Sequence, residues 1–114
     1  DTQKIAFAIL CALEVCKEPR FVTWANNWLS GKDRTADAAA YAVANAAANA
    51  TYAAINAARA AYYAAYYVVD AAYYAADAAR YAAKDYYNVY IATAANNVNN
   101  DIDLIKLAKK AMKY

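Results

Sequence analysis

Apolar residues recur at helical spacing from the start of the chain. Ile5, Ile9, Ala12, Leu13 and Cys16 share one helical face, and Phe7 and Leu10 widen it. A face that wide predicts a buried helix over about residues 3–17. Lys17-Glu18-Pro19 ends it, because the residue before a proline avoids the helical region. Pro19 then suits the first turn of a second helix, over about residues 19–30. Phe21, Trp24 and Trp28 recur at steps of three and four, with Leu29 beside them. Both tryptophans are expected in the core. Gly31 is a natural C-terminal stop, and "WLSGKDRT" reads as a turn. Thr35 is a candidate N-cap for a third helix over about residues 35–49, with Asp37 in its first turn.

From Ala36 to Ala95 the chain has no Gly or Pro. A single helix of that length would reach about 90 Å and could not bury its face alone. A fold-back is therefore expected, first near Asn49-Ala50-Thr51, where weak helix formers cluster and Thr51 can cap. A second break is expected between Tyr67 and Asp70, inside a helical region of about residues 51–95. "NNVNND", residues 96–101, is turn chemistry, and Asn100 or Asp101 can cap a last helix over about residues 101–113. There Leu104, Ile105, Ala108, Ala111 and Met112 are expected inside, with the lysines outside. The reading is a single all-α domain, a compact bundle of about five helices.

The segment "AARAAYYAAYYVVDAAYYAADAARYAAKDYY" is patterned rather than repetitive filler. Alanine pairs begin at 57, 64, 71 and 78, seven apart, and a second set sits at 60/61, 75/76 and 82/83. On a helix these make a wide face almost free of side chains, which predicts Ala-lined close helix packing. The opposite face holds Asn56, Arg59, Tyr63, Tyr66, Asp70, Tyr73, Asp77, Arg80, Lys84 and Tyr87, with Tyr67, Tyr74 and Tyr81 along the border. Asp77 and Arg80 are placed to pair. Tyrosine gives large rigid contact area at small entropic cost, so this face is a candidate protein-binding surface. The same rings can also fill volume that alanine leaves empty.

Composition narrows the classes. Alanine is about a third of the chain, which favours helix throughout. The net charge of +2 does not call for nucleic acid or a membrane. Asp70, Asp77 and Asp85 offset Arg59, Arg80 and Lys84, so no backbone-binding stripe for nucleic acid forms. A membrane span needs about 18 apolar residues. The run from Ala60 to Val69 stops at Asp70. "IAFAILCALEVC" lacks a basic leader, so no signal peptide is expected. Cys11 and Cys16 point to opposite sides of one helix, so no disulfide joins them, and free thiols suit a cytoplasmic setting.

There is no histidine and only one glycine, so His-based triads, His metal sites and glycine-rich phosphate loops are excluded. Asp70 and Asp77 lie two turns apart, about 10.5 Å along one helix, long for shared acid–base work. No enzyme activity, cofactor or metal is expected.

Three stretches carry a resemblance. "IAFAILCALEV" is similar to an "LLCAERV"-type opening helix. "WANNWLSGKDRTADAAAYAVANAAA" is similar to an "A-x-x-WL-x-G" stretch before an Ala-rich helix. "AARAAYYAAYYVVDAAYYAADAARYAAK" is similar to an "AARAA-x-HAA" repeat. Together they resemble the short alanine-rich helical immunity proteins of bacterial polymorphic toxin systems, which have phage relatives. That repeat carries histidines where this chain has tyrosines nearby, so no histidine role carries over. The resemblance implies a non-enzymatic inhibitor that neutralises a toxin or, in a phage, a host defence protein. The contact residues expected are Arg59, Tyr63, Tyr66, Asp70, Tyr73, Asp77, Arg80 and Lys84. Two other readings stand beside it. A sponge for a small nucleotide-like signal would bring Arg59, Arg80 and tyrosines into one pocket. A structural homo-oligomer would pair Ala faces between chains.

Overall fold

The computed structural model describes residues 2–48, 51–64, 66–94 and 104–114; for residues 68, 83–94 and 104 it describes the backbone alone. Among them the chain is all-helical. The six helices are α1 (Thr2–Val15), α2 (Pro19–Leu29), α3 (Ala36–Ala48), α4 (Tyr52–Tyr63), α5 (Val68–Ala94) and α6 (Leu104–Ala111). That is one more than the pattern suggested. No helix among the described residues is long and apolar enough to cross a membrane.

The helix ends follow from local chemistry. Pro19 opens α2, and the Glu18 carboxylate accepts from the Phe21 N–H at 2.9 Å, a cap the sequence reading missed. Gly31 stands just past α2 at φ 80°, where a side chain would be strained. Arg34 folds back over the same end. Its Nε donates to the Trp28 carbonyl at 2.8 Å, and its guanidinium lies 4.5 Å from the Trp28 ring centre. Thr35 caps α3, accepting from the Ala38 N–H at 3.2 Å. Thr51 sits at the N-cap of α4, but its side chain makes no cap hydrogen bond.

α4 is the centre of the fold, packed against α1, α3 and α5. Its alanines Ala53, Ala54, Ala57, Ala58 and Ala60 are all fully buried. A helix surrounded on three sides must be small all round, and alanine makes it so. α5 differs from the expected broad alanine face. Among its described alanines, only the row Ala71, Ala75, Ala78 and Ala82 is buried, while Ala76 is exposed and Ala72 and Ala79 are half-buried. One partner surface, the α1–α4 side, needs only one seam. α1, α2 and α3 complete the core, with Ile9, Phe21 and Cys11 its largest fully buried side chains. Trp24 and Trp28 are buried, as their spacing predicted.

The expected register of the last helix is corrected. Ile105 and Met112 are exposed, and Leu107 faces inward in their place, while Ala111 is buried as expected. Among the described residues α6 packs chiefly on α1, and a two-residue seam suffices. Lys106, Lys109 and Lys110 do lie outside. The turn at 96–101 and its capping residues Asn100 and Asp101 lie outside the described residues.

Cys11 and Cys16 are free and buried. Burial, with the nearby Glu14 charge, pushes the Cys11 thiol up to about 12. The folded state therefore keeps a proton that the unfolded chain releases above about pH 9. Stability should fall as pH rises through that window, by about 1 kcal/mol at pH 9.5 from this group. Urea unfolding at pH 7 and 9.5 checks this. The drop should shrink in Cys11→Ala, and an equal drop in both proteins would mean that other groups cause it.

Candidate functional site

α4 and α5 form an antiparallel hairpin. Tyr63, at the end of α4, stacks on Tyr74, early in α5, with ring centres 5.3 Å apart and planes 14° apart. At the far end Tyr52 meets Tyr81 at 5.6 Å. The fold-back starts earlier than expected. α4 ends at Tyr63, so Tyr66 and Tyr67 lie in the connection and Asp70 in the first turn of α5. Nothing in the Tyr-Tyr-Ala-Ala-Tyr-Tyr run is a strong helix breaker. Two stacked rings close the turn in place of Gly or Pro.

Aromatic contacts extend from that stack. Tyr62 meets Tyr63 edge-on at 5.2 Å and Tyr66 at 5.5 Å. Tyr67 lies 6.3 Å from Tyr63, and Tyr73 lies 5.5 Å from Tyr74. Tyr52, Tyr66, Tyr67 and Tyr73 expose more than half their surface, while Tyr62, Tyr63, Tyr74 and Tyr81 are half-buried. The half-buried rings brace the exposed ones. The half-buried rings thus fill volume beside the alanines, and the exposed rings leave a tyrosine surface open.

The hairpin encloses a groove of about 400 Å³. Tyr52, Ile55, Asn56 and Arg59 line it from α4, and Tyr73, Tyr74, Asp77 and Tyr81 line it from α5. The Arg59 guanidinium lies 5.6 Å from the Tyr74 ring centre, within cation–π range. Asn56 was expected on the polar face but is buried, the one buried polar residue among those described. Its Nδ2 donates to the Tyr52 carbonyl at 2.9 Å. Asp77 pairs with Arg80 at 2.9 Å, and Arg80 sits 5.3 Å from the Tyr81 ring centre.

The candidate contact residues are thus split across two helices. Arg59, Tyr73 and Asp77 meet in the groove, and Tyr63 braces its wall. Tyr66 is exposed at the turn, Asp70 is exposed at the start of α5, and Arg80 is exposed and paired with Asp77 without lining the groove itself. Lys84 belongs to α5, and its side chain lies outside the described residues. The sequence reading missed Tyr52, Ile55, Tyr74 and Tyr81 as groove residues. Tyr74 and Tyr81 were legible as a border row seven apart, but which helix they would border was not.

The alanines of α4, proposed above as a surface that could pair between chains, are used up inside this one. No known protein family, curated protein or solved structure matches the chain.

Proposed function

We propose that this protein is a non-enzymatic inhibitor that binds another protein through the tyrosine surface of the α4–α5 hairpin. The observation that carries it is the pairing of exposed and bracing rings. Tyr66 and Tyr73 stay exposed while ring contacts to Tyr62 and Tyr74 hold them. Rings held in place lose little entropy on binding, which is what makes tyrosine effective at interfaces. Arg59 and Asp77 add one charge of each sign, suited to fixing orientation. The resemblance to immunity proteins supports the same class, so the partner we propose is a bacterial toxin or a host defence protein, met in the bacterial cytoplasm, with a phage origin included.

One observation favours the sponge as a second reading: Arg59 and tyrosines from both helices do converge on one groove. The expected second cation, Arg80, does not line the groove and is paired at 2.9 Å with Asp77, which does. A phosphate-bearing ligand would face one cation and one anion, so the protein-binding reading is the stronger.

The test is affinity capture from bacterial lysate by the wild type and by Tyr66→Ala/Tyr73→Ala. Both residues are exposed, so helicity by circular dichroism should be unchanged. One specific protein should be captured by the wild type and lost with the variant. Capture indifferent to both rings would overturn this use of the surface. No capture, together with a thermal shift on adding nucleotides, would favour the sponge.

A further inference from the structure

α6 carries a face that its seat on α1 leaves uncovered. Leu107 and Ala111 form the seat. Ile105 and Met112 lie away from it, with 71% and 67% of their surface exposed. They stand seven residues apart, so they share one row, about 10.5 Å apart along the helix. The exposed Lys106, Lys109, Lys110 and Lys113 occupy the arc to one side of that row, and the half-buried Ala108 lies on the other.

The apolar row does not belong to a loose chain end. Past the last residue of α6, the Met112 N–H still donates to the Ala108 carbonyl at 3.2 Å. The Met112 carbonyl accepts from the Gln3 side chain of α1 at 3.0 Å. Two bonds thus fix the backbone that holds Met112 outward. An apolar side chain exposed on a fixed backbone is available for contact at small entropic cost.

The charges say what that contact is. The whole chain carries a net charge of only +2, yet residues 104–114 hold four lysines and no acidic side chain. α1 beneath them adds one cation, Lys4, and one carboxylate, Glu14. The face therefore complements an anionic surface. Nucleic acid would leave Ile105 and Met112 against phosphates, where they gain nothing. A protein partner would need pockets shaped for two separate side chains on a convex helix. A bilayer needs no such pockets, because its acyl boundary takes apolar side chains wherever they enter. Lysine stems lie along that boundary while their ammonium groups reach the headgroups.

We propose that α6 docks the protein on the surface of an anionic lipid bilayer, with Ile105 and Met112 entering the headgroup–acyl boundary and the four lysines pairing with lipid phosphates. The contact is peripheral and reversible, since one short helix with two apolar side chains is a weak anchor. It does not rest on the role given to the hairpin. The test is co-sedimentation of the full chain with vesicles of phosphatidylcholine carrying about one-third phosphatidylglycerol, against vesicles of phosphatidylcholine alone.

The protein should bind the anionic vesicles and not the neutral ones, and added salt should weaken binding. Lys109→Gln/Lys113→Gln should weaken it about twentyfold, at roughly fivefold per charge. Ile105→Ala/Met112→Ala should weaken it about tenfold. All four side chains are exposed, so helicity by circular dichroism should be unchanged in both variants. The Tyr66→Ala/Tyr73→Ala protein should bind the vesicles as the wild type does. No binding to anionic vesicles, or equal binding to neutral ones, overturns the proposal. So does binding that survives Ile105→Ala/Met112→Ala unchanged, which would be adsorption by charge alone, or binding lost in Tyr66→Ala/Tyr73→Ala, which would put the lipid on the hairpin. Binding to polyglutamate without binding to the vesicles overturns it in favour of an acidic protein.

Discussion

Phe21→Ala should destabilise the protein by about 3–5 kcal/mol, the usual range for deleting a fully buried phenylalanine. Phe21 is completely buried and lies against Trp24, with ring centres 5.6 Å apart. Its backbone N–H also receives the Glu18 cap, so one residue ties the start of α2 to the core. Among the described residues α2 packs chiefly on α1 and α3. Urea unfolding followed by tryptophan fluorescence measures it. Thr23→Ala on the exposed side of the same helix should stay within about 0.5 kcal/mol. A loss below about 1 kcal/mol for Phe21→Ala would mean that α2 is only loosely attached.

The contrast between α2 and the hairpin shows what the sequence could convey. α2 was legible because its boundaries are chemical. Pro19 can start a helix, Gly31 can adopt positive φ, and an aromatic triplet at steps of three and four can only face inward. The break between α4 and α5 carries no such mark. Tyrosine and alanine continue through it, and stacking between Tyr63 and Tyr74 closes it. That contact exists only after folding, so no local pattern could place it. The buried Asn56 was missed for a related reason. On one helix it belongs with Arg59 and Tyr63, but in the fold-back α5 covers it. The last helix shows a third limit. Its apolar set is wide enough for several faces, and packing on α1 selects Leu107 with Ala111.

The candidate site was half legible for the same reasons. Periodicity separated the buried alanine rows of α4 and α5 from Arg59, Tyr66, Asp70 and Tyr73, which are exposed, but it misplaced Asn56, which is buried, and Ala64 and Ala76, which are exposed. It could not say that the stripe would fold against itself and turn a flat face into a groove. Arg59 and Asp77, eighteen residues apart in sequence, came to line one groove across the hairpin, whereas Arg80, paired with Asp77, does not line it.

The alanines of α4 give the second large expectation. Ala57→Leu should destabilise the protein by about 3 kcal/mol, although it adds apolar surface. Ala57 is fully buried, as are its neighbours Ala53, Ala54, Ala58 and Ala60, in a helix enclosed by α1, α3 and α5. Three added carbons have no empty volume to enter, so a neighbouring helix must move. The same substitution at the exposed Ala44 of α3 should be nearly neutral, because leucine is also a good helix former. If both variants unfolded at the same urea concentration, close packing would not be what the alanines provide. The damage should also reach the candidate site. Arg59 and Tyr63 ride on α4 and meet Tyr74 on α5 at 5.6 and 5.3 Å. Pushing the helices apart lengthens those contacts first. Near-ultraviolet circular dichroism of the tyrosines should therefore weaken in Ala57→Leu under conditions where its helical signal is still intact. Tyrosine dichroism that survives unchanged would show that the hairpin holds its rings independently of the alanine seam.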